Sequence, residues 1–425
     1  MKLLILLGIV ACATALVSKI QLTRIESRRV KLMRAGLWRS HLKEKMLLRS
    51  VRKFQSKAVG KQEVDFYIIL LNSFGLLFLF WKSIDGNVND YDDLEYVGNI
   101  TIGSHKNQEF LVVLDTGSSN LWIPDSSCTT TDCKKKHVFD SSKSETYTKD
   151  GRTWSVSYGD GSNAKGFLGT DTITFGGVKE QQLAVPKQTF GQATSMSGFS
   201  RDVIDGILGL GFTALADDLV VPPFINAVNQ KLVDKPLFTV WMAHRNLQMS
   251  CFSKGMKEGV KGGVFTYGDY DKENCGAEIA TVKLTSATYW QFKMDAIAAG
   301  SYSSKKGWDV ISDTGTSFIG GPSSIVQGVA TALGGEYDWY NQLYLVDCSA
   351  KNGNIKLTIG GKVYEIEPVN YVVQVSDTLC AIGIFDFDFG GWGPAWILGD
   401  PFIRQYCNMH YVTEEKIGFA VSNQK

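Results

Sequence analysis

The sequence predicts a mainly β protein built as two related lobes. Three observations predict it. Short runs of strand-forming residues, such as TDTITFGG and LYLVDC, recur between turn signals. Glycine is abundant, with 43 in 425 residues, as many tight turns require. The third is a repeat: FLVVLDTGSSNLWIP at 110–124 and WDVISDTGTSFIGGP at 308–322 each run an apolar segment into Asp-Thr-Gly. A given tripeptide arises at roughly one position in several thousand at average composition, so one copy would mean little. Two copies in matching contexts, 198 residues apart at Asp115 and Asp313, are a strong signal.

The chain opens with Met1-Lys2, a short apolar run LLILLGIV, and ACATA with its Ala-x-Ala spacing. These features predict a secretory signal over 1–15, cleaved near Ala13 or Ala15. Removal takes Cys12 and leaves seven cysteines for an oxidising compartment. Cys128 and Cys133 close a small loop, and Cys348 with Cys380 is the next plausible pair. Cys251, Cys275 and Cys407 remain, of which Cys275 and Cys407 are a third candidate pair. The sequon Asn99-Ile100-Thr101 allows glycosylation, although it lies in a strand-like run.

Charge is lopsided. Residues 18–63 carry 14 Lys or Arg against 3 Asp or Glu, whereas residues 83–425 carry 28 basic and 39 acidic side chains, a net of −11. A basic arm before an acidic body suggests an intramolecular electrostatic partner that weakens when carboxylates protonate. No nucleic-acid motif accompanies the arm, so a nucleic-acid partner is not expected. Residues 18 to about 60 have helix-forming composition with mixed apolar and basic faces. The run VDFYIILLNSFGLLFLFW at 64–81 does not fit that pattern: it holds one charge, Asp65, and is about the minimum length for a membrane span. It reads as a signal anchor, a buried piece of the N-terminal segment, or translated non-coding sequence.

From Tyr91 onward each half repeats one order, Asp-Thr-Gly and then an apolar-apolar-Gly triplet. The triplets begin at Ile207 and Ile397, 92 and 84 residues after the aspartates. Repetition at this spacing implies two similar lobes rather than a solenoid, and places one Asp from each at a shared cleft. The boundaries read as a signal (1–15), a prosegment (16–85) with the anomalous 64–81 run, an N-terminal lobe (86–260) and a C-terminal lobe (261–425).

Two facing carboxylates suit general acid–base hydrolysis of a carbonyl substrate. One activates water as a base while the other polarises the carbonyl as an acid. Close together they cannot both ionise, so they share a proton. Gly117 and Gly315 let backbone amides approach the carboxylates. Around Gly159-Asp160-Gly161 the segment WSVSYGDGSNAKGFLGTDTITFGG alternates as a β-hairpin. The five histidines show no ligand spacing and no HExxH, GxSxG or catalytic Cys pattern occurs, so neither metal nor cofactor is expected. Asp386-Phe387-Asp388 reads as an exposed turn.

Taken together, these motifs resemble the pepsin-family aspartic endopeptidases, with nematode pepsin- and cathepsin D-like digestive enzymes similar through LWIPDSSC, GGVFTYGDYD, SATYWQF and GDPFIRQYC. The resemblance spans about Tyr91 to Val421. It implies the bilobal pepsin-like fold with its cleft between two β-barrel-like lobes, and Asp115 and Asp313 as the catalytic pair. Thr116 and Thr314 would bond across to the opposite loop, and Ser118 and Thr316 would bond the outer carboxylate oxygens. The hairpin becomes a flap, with Tyr158 at its tyrosine position, Gly159 and Asp160 at its tip, and Trp122 as the partner of that tyrosine. Asp160 stands where Thr is common, which touches subsite preference or pH response. The resemblance further implies a monomeric, secreted or lysosomal zymogen acting on peptides with large apolar side chains beside the scissile bond. Its own basic prosegment would inhibit it, with Lys53 or Lys57 against the aspartates. Two other readings share the motifs: a catalytically silent pepsin-like peptide-binding protein, and a membrane-tethered processing protease.

Overall fold

Alternation decides the first element. A computed structural model describes residues 17–26, 94–104, 108–159, 161–200, 202–243, 260–339, 341–388 and 393–424. The expected signal at 1–15, the 64–81 run, Lys53, Lys57, Cys251 and Asp160 lie outside them. In SKIQLTRIE, Ile20 and Leu22 are fully buried while Lys19 and Gln21 are partly exposed, and Ser18–Glu26 forms strand β1. The helical expectation is corrected for these nine residues. Period-two burial, with a strand on each side, outweighs helix propensity. Burying Ile20 and Leu22 contributes about 3–6 kcal/mol relative to exposure.

The neighbours of β1 come from both halves of the chain. The first half supplies β2 (Leu94–Ile102), β3 (Glu109–Asp115), β4 (Leu121–Pro124), β5 (Thr148–Ser157), β6 (Asn163–Phe175), β7 (Leu183–Ser197), β8 (Gly206–Gly209) and β9 (Leu237–Met242). β10 (Val260–Tyr267) and β11 (Cys275–Lys283) follow. β1 pairs antiparallel with β2 on one side and β10 on the other, inside a 13-stranded sheet. That sheet runs from β5 at one edge to β11 at the other, and the last two strands of the chain, Tyr406–Tyr411 and Lys416–Ser422, lie between β9 and β11. The C-terminal half adds a six-stranded sheet and two four-stranded sheets. The fold is the mainly β, bilobal pepsin-like architecture, with one sheet continuing through both halves.

The repeat read from the sequence appears as a repeated crossing. β3 runs parallel to β8, with Val113 opposite Ile207 and Asp115 opposite Gly209, and β8 runs antiparallel to β4. In the second half Trp308–Ser312 runs parallel to Trp396–Leu398, with Ile311 opposite Ile397, and the latter runs antiparallel to Ile319–Gly321. Each apolar-apolar-Gly strand therefore lies between the strand entering an Asp-Thr-Gly turn and the strand leaving it. The closing glycine is required in both triplets. A Cβ on Gly209 would lie 2.4 Å from the Ser119 carbonyl carbon, and one on Gly399 would lie 2.1 Å from the Thr316 oxygen.

Disulfides join Cys128 to Cys133, Cys348 to Cys380 and Cys275 to Cys407. The last closes a 132-residue separation and in the chain-entropy account restrains the unfolded chain most. Asp386-Phe387-Asp388 is not an exposed turn. Asp386 ends the strand Ile384–Asp386, accepts a hydrogen bond from the Tyr344 hydroxyl at 3.4 Å, and is followed by buried Phe387. Phe387 follows that strand, and its amide donates to the Gly321 carbonyl at 2.7 Å, extending the pairing of Ile384–Asp386 with Ile319–Gly321. Asn99 lies mid-strand in β2, half-buried, opposite Leu111. Among the described residues no helix is long and apolar enough to cross a membrane.

Candidate active site

Each aspartate is delivered by the end of a buried strand and held by the turn that follows. Val112 and Leu114 are buried on β3, and Val310 and Ile311 on the strand before Asp313. The two turns use the same donors. The Gly117 amide donates to Asp115 Oδ1 at 2.8 Å, and the Ser118 hydroxyl donates to Oδ2. The Gly315 amide donates to Asp313 Oδ1 at 2.8 Å, and the Thr316 hydroxyl donates to Oδ2 at 2.6 Å. Both carboxyls are buried at 7 % exposure.

Two threonines close the arrangement across the halves. The Thr116 hydroxyl donates to the Ser312 carbonyl at 2.9 Å and accepts from the Thr314 amide at 2.9 Å. Reciprocally, the Thr314 hydroxyl donates to the Leu114 carbonyl at 2.5 Å and accepts from the Thr116 amide at 3.0 Å. All four bonds are buried. Buried polar groups that lose partners are costly, so this lattice admits one relative placement of the turns. Glycine completes it. A Cβ on Gly117 would fall 2.5 Å from the Asp313 carboxyl carbon, and one on Gly315 would fall 2.4 Å from Asp115 Oδ1.

Electrostatics follow from this enclosure. Burial first, and then the neighbouring Asp313 charge, push Asp115 above the usual carboxylate range. Burial also raises Asp313, against the pull of its hydrogen bonds from Thr316 and Gly315. The two therefore hold a shared proton that belongs to the pair. Aspartic proteases are the known example of two carboxylates sharing one proton in this way. Such a pair can take a proton from water with one oxygen while donating one to a carbonyl with another.

The expected hairpin is present. β5 and β6 form a hairpin with Ser157 opposite Asn163. The Tyr158 amide donates to the Ser162 carbonyl at 3.0 Å, and the Gly161 amide to the Tyr158 carbonyl at 3.0 Å. Gly161 has φ +89°, a left-handed value that glycine adopts without strain. Gly159 sits in the turn. The Trp122 indole donates to the Tyr158 hydroxyl at 2.6 Å.

Two aromatics here carry no signal that singles them out in the sequence. Phe199 meets Trp122 edge-on at 5.2 Å and Tyr158 at 6.3 Å, and its amide donates to Asp132 in the Cys128–Cys133 loop at 2.7 Å. Tyr289 lies near the pair: burial, then Asp313 and Asp115, raise its phenol. Neither belongs to a repeated motif, and their proximity depends on chain crossing. The adjacent aromatics of SATYWQF are the nearest thing to a signal.

The chain is similar to known proteins over most of its length. The family model described as eukaryotic aspartyl protease matches residues 95–422. Aspartic protease 6 of Caenorhabditis elegans is 47% identical over 426 residues, covering 100% of both chains. Aspartic protease 2 of Necator americanus is 38% identical over 99% of both. Vacuolar protease A of Neurospora crassa is 34% identical over 79% of this chain and 81% of its own. The chain belongs to the pepsin-like eukaryotic aspartyl protease family and is an aspartic-type endopeptidase acting on peptide substrates.

Proposed function

We propose that Asp115 and Asp313 are the catalytic pair of an acid-active endopeptidase made as a zymogen. The observation that carries this is the mirrored donor set: each carboxyl is buried and holds an amide and a hydroxyl donor. Water between the carboxyls loses a proton to the ionised member as the protonated member hydrogen-bonds the scissile carbonyl oxygen. Carbon becomes tetrahedral, the shared proton then passes toward the leaving nitrogen, and the peptide C–N bond breaks. Both carboxyls finish ready for a second water.

Gly117 and Gly315, with Thr116 and Thr314, hold the geometry, while Ser118 and Thr316 favour the ionised oxygens. Tyr158, Gly159, Asp160 and Trp122 form the flap region, whose closure over substrate would exclude water. A preference for large apolar side chains beside the scissile bond is part of this reading.

Residues 16–85 act in this reading as an inhibitory prosegment. The reading is supported by the basic excess of 18–63 and by Lys19, which pairs with buried Asp271 at 3.4 Å and with Glu273 at 3.4 Å. Acid lowers the negative charge of the 83–425 body, a net of −11, and so weakens its hold on a basic segment. The N-terminal apolar signal and the vacuolar name of the fungal relatives support a secretory route to a lysosome or the exterior, and a monomer is the proposed form. Asn99 is the proposed glycosylation site on that route.

Acidifying the full-length proform, following N-terminal truncation and measuring hydrolysis of denatured globin tests the reading. Turnover that begins with truncation, stops with a statine-type inhibitor and is absent in Asp115→Asn is expected. Undiminished hydrolysis by Asp115→Asn would remove the pair from the mechanism. A folded wild type without turnover would point to a peptide-binding protein.

A further inference from the structure

The halves also meet beside β8. The residues leaving β8, 210–212, lie against 288–290. The Phe212 amide donates to the Thr288 carbonyl at 3.0 Å, and the Trp290 indole Nε1 donates to the Leu210 carbonyl at 2.9 Å. The Phe212 and Trp290 rings lie 4.6 Å apart, and Trp290 stands edge-on to His410 at 4.7 Å and to Phe238 at 5.6 Å. Trp290 is 1 % exposed, so its hydrogen bond lies in a dry, close-packed setting.

Both ends of this contact lead directly to an aspartate. The Leu210 amide donates to the Asp115 carbonyl at 2.8 Å, so the residue that receives the indole also holds the Asp115 backbone. Trp290 begins the strand Trp290–Met294, which pairs with the strand entering Asp313, Gln291 opposite Ile311 and Phe292 opposite Val310. One side chain thus ties the backbone under one carboxylate to the strand carrying the other.

We propose that Trp290 is a positioning residue that sets the separation of Asp115 and Asp313 through its indole N–H bond to Leu210. The proposal rests on the reading of these aspartates as the catalytic pair. A buried tryptophan commonly serves packing alone. Here its one polar side-chain atom reaches the other half of the molecule, onto a residue bonded to the Asp115 carbonyl. Loss of that bond leaves a buried carbonyl unsatisfied and frees the turn to shift.

The test uses the acid-activated full-length enzyme and an internally quenched peptide. It compares wild type, Trp290→Phe, and a variant with 3-benzothienylalanine at 290, which keeps the ring size and lacks the N–H. A misplaced catalytic group costs rate steeply, so kcat is expected to fall roughly ten- to a hundredfold with KM within about twofold. The two limbs of the pH profile should also draw together, because carboxylates further apart interact less. Unchanged kcat and limb spacing in the benzothienyl variant would overturn the proposal, whatever happens to its Tm, and that variant decides if Trp290→Phe fails to fold. An Asp115→Asn control that keeps turnover would instead remove the underlying reading, and Trp290 with it.

Discussion

The two Asp-Thr-Gly turns are copies in the bonds they make and differ in what surrounds them. Each carboxyl accepts one glycine amide and one hydroxyl, and each turn sends a threonine to the other. Beside Asp115, however, the half-buried Ser118 is the hydroxyl donor, and the Trp122–Tyr158–Phe199 cluster leads into a hairpin at the sheet edge. Beside Asp313 the donor is Thr316, buried at 4 % exposure, and the apolar neighbours Phe318 and Phe385 belong to sheet strands and their approaches. The proton chemistry needs two equivalent carboxyls. The aromatic cluster and its hairpin stand on the Asp115 side, where the proposed flap lies.

The largest expected effect tests the equivalence. Asp115→Asn and Asp313→Asn should each lower kcat/KM on a fluorogenic peptide by at least about a thousandfold, because general acid and base act as one unit. A tenfold difference between the two would break the symmetry. The same variants carry a stability signature with a defined sign. Both wild-type carboxyls have folded pKa values above their unfolded ones, so the native state binds more protons from the ordinary carboxylate range upward. Their contribution is present at acid pH and is lost as pH rises through the folded values. The Asn variants should therefore lose less Tm than wild type between mildly acidic and neutral pH in calorimetric scans.

Next in size are the glycines. Gly117→Ala and Gly315→Ala each drive a methyl group into the opposing carboxyl, and each should reduce kcat by about a hundredfold or more. Retention of activity in either would mean that its turn can shift, against the four-bond lattice. The cross-links come third. Thr116→Val and Thr314→Val should destabilise by about 1–3 kcal/mol each in denaturant titrations, with the serine variants near wild type. Unequal losses would show which half anchors the other.

The smallest effects probe the asymmetry itself. Tyr158→Phe should lower kcat/KM by about tenfold, and combining it with Trp122→Phe should add little, since one hydrogen bond joins the pair. Ser118→Ala and Thr316→Ala each remove a hydroxyl that favours the ionised carboxyl. The acid limb of the pH profile should move up by about one unit or less. A larger shift for Thr316→Ala would follow from its deeper burial.

Much of this site is legible in the chain. Two Asp-Thr-Gly turns, their glycine-terminated partners and the Gly-rich hairpin are local patterns, and local backbone chemistry dictates them. Spacing points to Cys128 with Cys133, whereas Cys275 and Cys407 meet because the sheet brings β11 and Tyr406–Tyr411 within reach. The strand β1 reads as helix in the sequence because its basic composition conceals an alternation that only two flanking strands make decisive. Asp386-Phe387-Asp388 misleads for the same reason, since pairing buries a phenylalanine that composition leaves exposed.

The sequence by itself determined the reaction type, because a carboxyl pair, the glycines that admit it and its hydroxyl donors are spelled out as short motifs twice. Only the tertiary structure decided which residues stand between the halves. Thr288, Tyr289 and Trp290 reach the Asp115 side across some 80 residues of chain, Trp290 bonding Leu210. Such contacts arise when sheet order folds distant segments together. Their physical cause is the shared burial of both halves around one core, which no window of sequence contains.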